Sequence, residues 1–166
     1  MVRPFLVRPR GAAEVIRSIV TMRAENGHHP PPEGGVDVKC GPGGLRDIEF
    51  LAQGLQLIHA AARPDLIGGN TLAALAALAG AGILAPDTAT ALRDDYFFLR
   101  QVEHLLQIMD DRQTHMVPAD PAQQAVLARR LFGSSGTAAG LAAELARRTA
   151  RVHAAFTEFT HRTAVP

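Results

Sequence analysis

The chain has 166 residues, 47% of them hydrophobic but only 5% aromatic, with no Trp. That is enough for one domain with a substantial core, and the alanine-rich composition suits helices packed closely through small side chains. With 17 basic and 16 acidic residues the net charge is +1, which argues against a nucleic-acid or membrane-surface binder. The lone Cys40 excludes an internal disulfide and fits a reducing compartment. Arginines and Pro4 interrupt the first residues, so no secretory h-region is legible. The longest apolar run, Leu72 to Ala85, is too short and too broken by glycine to span a bilayer. The expectation is a soluble cytoplasmic domain.

Met1 to Arg10 carries three arginines and two prolines and reads as extended. A helix is expected from Gly11 to about Asn26, with a stripe of Ala12, Val15, Ile16, Ile19 and Met22. His28 to Gly35, with three consecutive prolines, reads as a loop; such a loop pre-arranges no third ligand, so the His28–His29 pair is not taken as a metal site. Val36 and Val38 alternate with Asp37 and Lys39, the period of a half-buried strand. Gly41, Pro42, Gly43 and Gly44 then form a turn. Leu45, Ile48, Ala52, Leu55 and Ile58 recur every three or four residues and predict an amphipathic helix from Leu45 to about Ala62.

Downstream of this strand and turn the pattern predicts helix throughout. Asn70 is an N-cap for a short helix over Thr71–Ala79, closed by Gly80 and Gly82. A long helix is expected from Pro86 to about Arg112, with a seam of Leu92, Tyr96, Leu99, Val102, Leu106 and Met109 widened by Phe97, Phe98, Leu105 and Ile108. Asp120-Pro121 starts a helix to about Phe132. The last helix begins near Thr137 and buries Leu141, Leu145, Val152, Phe156 and Phe159, while Thr163 to Pro166 should fray. The fold class is all-α: an antiparallel bundle of five to six helices, preceded by the short strand and glycine turn.

The chemistry concentrates on the helix after the turn. At about 100° per residue, Arg46, Glu49, Gln53 and Gln56 share one sector flanked by apolar residues on both sides. Such a stripe is either a hydrogen-bonded network or the lining of a site; Arg46 and Glu49, three apart, can pair. Gly43 and Gly44 precede a helix N-terminus, where free N–H groups attract anions, and Lys39 would add charge. The spacing matches no phosphate-loop or dinucleotide fingerprint, so a tight strand-to-helix turn is the simpler reading. Glu103 and His104 with Asp110, Asp111 and His115 could be read as a metal set, His104, Asp111 and His115 being spaced seven and four. The set runs into a helix end where polar residues cap and turn, and no metal ligands are assigned. No catalytic triad is legible, and Cys40 has no identifiable activating base.

Asp37-Val38-Lys39-Cys40-Gly41-Pro42-Gly43-Gly44-Leu45-Arg46-Asp47-Ile48-Glu49-Phe50, with Gln53 and Leu57, resembles the signature of the glutamine synthetase adenylyltransferase/adenylyl-tyrosine phosphorylase family. Phe98-Leu99-Arg100-Gln101-Val102-Glu103-His104-Leu105-Leu106-Gln107 and Asp111-Arg112-Gln113-Thr114-His115-Met116-Val117-Pro118 follow the same pattern in order. Cys40 replaces a larger aliphatic residue, and the His28 to Gly35 loop is an insertion. The Gln-Thr-His-x-x-Pro element looks most like the deadenylylating, N-terminal half.

The resemblance implies a polymerase-β-like nucleotidyltransferase domain followed by a helical domain, with this chain supplying the latter. Residues 1–40 would be the C-terminal edge of the nucleotidyltransferase domain and 41–166 the helical bundle. The enzyme so implied transfers AMP to a tyrosine of glutamine synthetase and removes it by phosphorolysis, using magnesium and ATP or AMP. Its partners would be glutamine synthetase, the PII signal protein, and the nucleotidyltransferase domain in cis. The Gly-Ser followed by Asp-x-Asp that holds two magnesium ions in such enzymes is absent, so the chain alone is expected to be inactive and to contain no catalytic residue or cofactor site. Lys39, Gly43, Gly44, Arg46 and Glu49 are the candidates for facing the nucleotide cleft. Alternatives are a non-catalytic helical module docking glutamine synthetase or PII, and the equivalent part of a PII uridylyltransferase. As the edge of a missing sheet, Val36 to Cys40 should lack proper strand partners.

Overall fold

In a computed structural model, residues 7–25, 35–110 and 114–161 are described. They form six α-helices and one two-stranded ladder: α1 (Ala12–Glu25), β1 (Val36–Asp37), α2 (Leu45–His59), α3 (Thr71–Gly80), α4 (Pro86–Asp110), β2 (Met116–Val117), α5 (Pro121–Phe132) and α6 (Ala138–His161), with a 3-10 turn at Pro64–Leu66. The fold is all-α, as the periodicity predicts. The expectations for Met1 to Leu6, the His28–His29 pair, Asp111 to Gln113 and Thr163 to Pro166 lie outside the described residues.

Local chemistry places the helix starts as expected. Asn70 Oδ1 accepts the Ala73 N–H at 3.0 Å, and Asp120 Oδ1 accepts that of Ala122 at 3.1 Å, each satisfying an orphan donor of a first turn. The central helix stops at His59, short of Ala62. Beyond it, Ala62 and Arg63 N–H both donate to the His59 carbonyl, closing the helix before Pro64.

Helix α2 packs against α1, α3, α4 and α6. Leu45, Ile48, Leu51 and Ala52 point into one core shared with Val15, Ile16, Ile19, Leu75, Leu78, Leu92, Leu99, Val102, Leu145 and Val152. Gly54 of α2 lies under the side chains of Phe159 from α6 and Ile19 from α1. A Cβ there would sit 2.4 Å from the Phe159 ring and 2.6 Å from the Ile19 side chain, so any larger residue requires these two buried side chains to shift. The α4–α6 contact is also polar. Asp95, with no exposed side-chain surface, takes Arg148 at 3.0 Å and Arg151 at 2.6 Å, and Arg148 lies over the Phe98 ring at 4.5 Å.

Four expectations are corrected. Helix is not continuous after the turn, because Met116–Val117 is a strand. Val36 and Asp37 do not lack partners: they pair antiparallel with Val117 and Met116, and Val38 N–H donates to the His115 carbonyl at 3.0 Å. The widened seam of α4 is also narrower than drawn. Phe98 is buried, but Phe97 and Ile108 are each 56% exposed, because at about 100° per residue they lie on the far side from Leu99 and Val102. Met22, assigned to the α1 stripe, is likewise on the exposed side.

Candidate functional site at the start of the second helix

The glycine turn is organised by two buried aspartates. Asp37, 4% exposed, accepts the Lys39 and Cys40 N–H groups on Oδ1 at 2.9 and 2.8 Å, an Asx turn that bends the chain out of β1. Asp47, 1% exposed, accepts the Gly43 N–H at 2.8 Å and pairs with Arg23 of α1 through two hydrogen bonds. That contact holds the Arg23 guanidinium above its ordinary pKa. Gly43 has φ +73°, and its Cα faces the Thr149 carbonyl of α6 so closely that a Cβ would lie 1.9 Å from the oxygen. The conformation and the approach each demand glycine.

These bonds bear on the anion reading of the turn. Gly44 N–H donates to Gly41 O, Leu45 to Val38 O, Arg46 to Lys39 O and Asp47 to Gly44 O, at 2.9–3.1 Å. With Gly43 N–H on Asp47, the donors that a helix N-terminus offers to an anion are already used inside the chain. Gly43 and Gly44 therefore serve the turn and its packing on α6, and any charged ligand here would meet side chains first.

Those side chains form a ring between the first turn of α2 and the middle of α4. Lys39 Nζ lies 3.1 Å from Oε1 of Glu103, whose other oxygen takes Arg100 at 2.6 Å. Arg100 lies over the Tyr96 ring at 6.0 Å, and the Tyr96 hydroxyl donates to Glu49 at 3.3 Å. Glu49 is 4.0 Å from Arg46, whose own N–H joins it back to Lys39. The Glu103 carboxylate is buried, 4% exposed, while the Arg46 and Arg100 side chains are 40% and 53% exposed. The Arg46 Nε is buried and has no hydrogen-bond partner. Three cations against two carboxylates leave the ring with one positive charge.

The structure thus brings Lys39, Arg46 and Glu49 together and divides the rest of the polar stripe. Gln53 is exposed. Gln56 is buried and donates to the Leu66 and Gly68 carbonyls at 2.6 and 3.2 Å, pinning the connection to α3. Sequence reasoning placed Tyr96 in the α4 seam and weighed Glu103 only with the histidine–aspartate set, and so missed that both complete the ring from α4. The available signal was Glu103 between Val102 and His104, three residues after Arg100, an i,i+3 pair beside a core position. Of the second histidine set, His104 is exposed and His115 stands apart from it, beside Asp37 with Nε2 3.7 Å from Oδ2. Cys40 lies in the same corner. Burial, reinforced by the Asp37 charge, pushes its thiol pKa up, with Arg46 and Lys39 pulling the other way. Among the described residues no helix is long and apolar enough to cross a membrane.

Comparison with known proteins covers these same elements. The family model described as GlnD PII-uridylyltransferase matches residues 19–160, from within α1 to the end of α6. The bifunctional glutamine synthetase adenylyltransferase/adenylyl-removing enzyme of Stenotrophomonas maltophilia strain K279a is 50% identical over 84 residues, 51% of this chain and 9% of that protein. The enzyme of the same name from Streptomyces coelicolor is 48% identical over 94 residues, covering 57% and 9%. That from Bordetella pertussis is 42% identical over 128 residues, covering 77% and 13%. The chain therefore spans 9–13% of the length of these relatives. A match running through all six helices shows the family: the chain belongs to the GlnD PII-uridylyltransferase family, with glutamine synthetase adenylyltransferases among its relatives.

Proposed function

We propose that this chain is the helical companion of a nucleotidyltransferase domain in a larger enzyme that adenylylates and deadenylylates a tyrosine of glutamine synthetase. In that reading the ring of Lys39, Arg46, Glu49, Tyr96, Arg100 and Glu103 faces the cleft of the catalytic domain. The observation that carries it is Arg46: partly exposed, with an unpartnered Nε, on the rigid first turn of the segment that bears the family signature. A guanidinium held this way is prepared for a phosphate or carboxylate, since its planar donors match such groups in pairs. Magnesium and ATP or AMP are assigned to the nucleotidyltransferase domain, a reading supported by the sequence, in which no Gly-Ser is followed by the Asp-x-Asp that holds two metal ions. The parent protein is cytoplasmic, and PII is its regulatory partner.

The test uses the full-length parent enzyme. Arg46→Gln should lower turnover with adenylylated glutamine synthetase by about 10²–10³-fold, the usual cost of removing one preorganised donor, while binding of glutamine synthetase is kept. Loss of binding instead would favour the docking-module reading, for which the exposed Phe97 and Ile108 of α4 speak. The family model's own description favours a second enzyme reading: transfer of UMP to PII, tested by the same variant with UTP and PII. AMP release by the 166-residue chain alone would overturn the assignment of catalysis to another domain.

A further inference from the structure

We propose that Asp37, Cys40 and His115 form a binding site for a divalent transition-metal ion of the zinc class. One carboxylate oxygen, the thiol sulfur and one imidazole nitrogen come within 4.8 Å of one another. A tetrahedral site with metal–sulfur near 2.3 Å and metal–nitrogen or –oxygen near 2.0–2.2 Å holds its donors about 3.4–3.7 Å apart. The imidazole and carboxylate are already at 3.7 Å, so closing the set needs about 1 Å of movement, within reach of Cys40 and His115 side-chain rotation.

The backbone fixes the three positions independently of any metal. Pairing of Asp37 with Met116 and the Val38 to His115 hydrogen bond set the imidazole beside β1. The Asx turn draws Cys40 back toward Asp37 and occupies Oδ1 with two amides, leaving Oδ2 as the ligand oxygen. Outer hydrogen bonds of this kind orient a ligating carboxylate.

Charge also balances. A divalent ion, the Asp37 carboxylate and a Cys40 thiolate sum to zero, and Lys39 and Arg46 are faced by Glu103 and Glu49. Mixed sulfur, nitrogen and oxygen donors select zinc, cobalt or copper over magnesium or calcium. Three protein ligands leave a fourth position for water or an incoming group, beside the Lys39–Arg46 ring. Binding releases the thiol proton, so affinity rises with pH.

Cobalt(II) titration of the purified chain under reducing conditions tests this. The expected result is one ion per chain with a thiolate-to-cobalt charge-transfer band, displaced by zinc and not by magnesium. Stoichiometric zinc should also protect Cys40 from alkylation. Cys40→Ser and His115→Gln should each weaken zinc binding by more than about 100-fold, since even an outer partner's loss costs about 10–100-fold. Binding of equal affinity in both variants would put the ion on other histidines and overturn the proposal. So would unprotected alkylation of the unaltered chain in the presence of zinc, a readout that needs no variant to fold.

Discussion

Replacing Gly43 with alanine separates two demands that meet at one residue. Gly43 is held at φ +73°, and the added Cβ would sit 1.9 Å from the Thr149 carbonyl oxygen, 2.6 Å from its carbon and 2.8 Å from its Cα. Gly82 supplies the control, with φ +69° and nothing within 4 Å of the position a Cβ would take. At Gly82 only the left-handed conformation matters, at about 1–2 kcal/mol, partly offset by about 0.4–1 kcal/mol from restricting the unfolded chain. At Gly43 the obstructing atoms are helix backbone, which cannot rotate aside, so α6 must move off the start of α2. Ordinary contact begins at 3.4 Å, so the displacement needed at the oxygen is 3.4 − 1.9 = 1.5 Å. That would loosen the packing of Leu45 and Val152 and place Gly43→Ala among the rare severe substitutions, at about 4 kcal/mol. For a chain of this size, about 2–4 °C per kcal/mol makes this a fall of about 8–16 °C in Tm. Urea unfolding followed by circular dichroism measures both variants, with a constant slope confirming a change in stability rather than in the unfolded state. If Gly43→Ala proves as stable as Gly82→Ala to within about 0.5 kcal/mol, the turn does not rest on α6 as described.

On α4, Leu99→Ala should cost about 2–5 kcal/mol because the side chain is fully buried. Phe97→Ser, two residues away and 56% exposed, should change stability by less than about 0.5 kcal/mol; equal costs in urea unfolding would mean that the face of α4 is wrongly assigned. Glu144 carries a pH dependence of defined sign. Arg147 first, and then Arg148, lower its carboxyl pKa from the ordinary 4.5 to about 2. A group depressed on folding contributes stability that is complete above pH 4.5 and lost as pH falls toward 2. Glu144→Gln should therefore flatten that part of the acid limb, and parallel limbs in the two proteins would remove the carboxylate from the account.

How far the site could be read from residues alone depended on spacing. Arg46 and Glu49 are three apart on one helix, so their pairing follows from helical geometry without knowledge of any neighbour. Gln53 and Gln56 share that sector, yet one is exposed and the other caps the α2–α3 connection, because a helical wheel specifies direction and not what lies there. Glu103 and Tyr96 enter the ring only because α4 packs across the first turn of α2. The partners of Asp95 and Asp47 are not legible from their own helices: each is buried where arginines from α6 and α1 arrive to pair with it.

The strand and glycine turn show the same division. Alternating valines, closely spaced glycines and the following three-four repeat determined that a strand, a tight turn and a helix occur in that order, since these are properties of the chain's own backbone and periodicity. The repeats of Leu and Ile, the Asn70 and Asp120 caps and the prolines at helix starts likewise determined an all-α fold with nearly correct boundaries. What the strand pairs with was decided by the tertiary structure. Met116–Val117 is a two-residue segment with no pattern of its own, and it becomes a strand by receiving hydrogen bonds from β1. The need for glycine at position 43 came from Thr149 in α6, and the meeting of Asp37 and Cys40 with His115 came from the ladder. Each of these joins residues far apart in the chain, and such contacts form only once the helices have closed the loops between them.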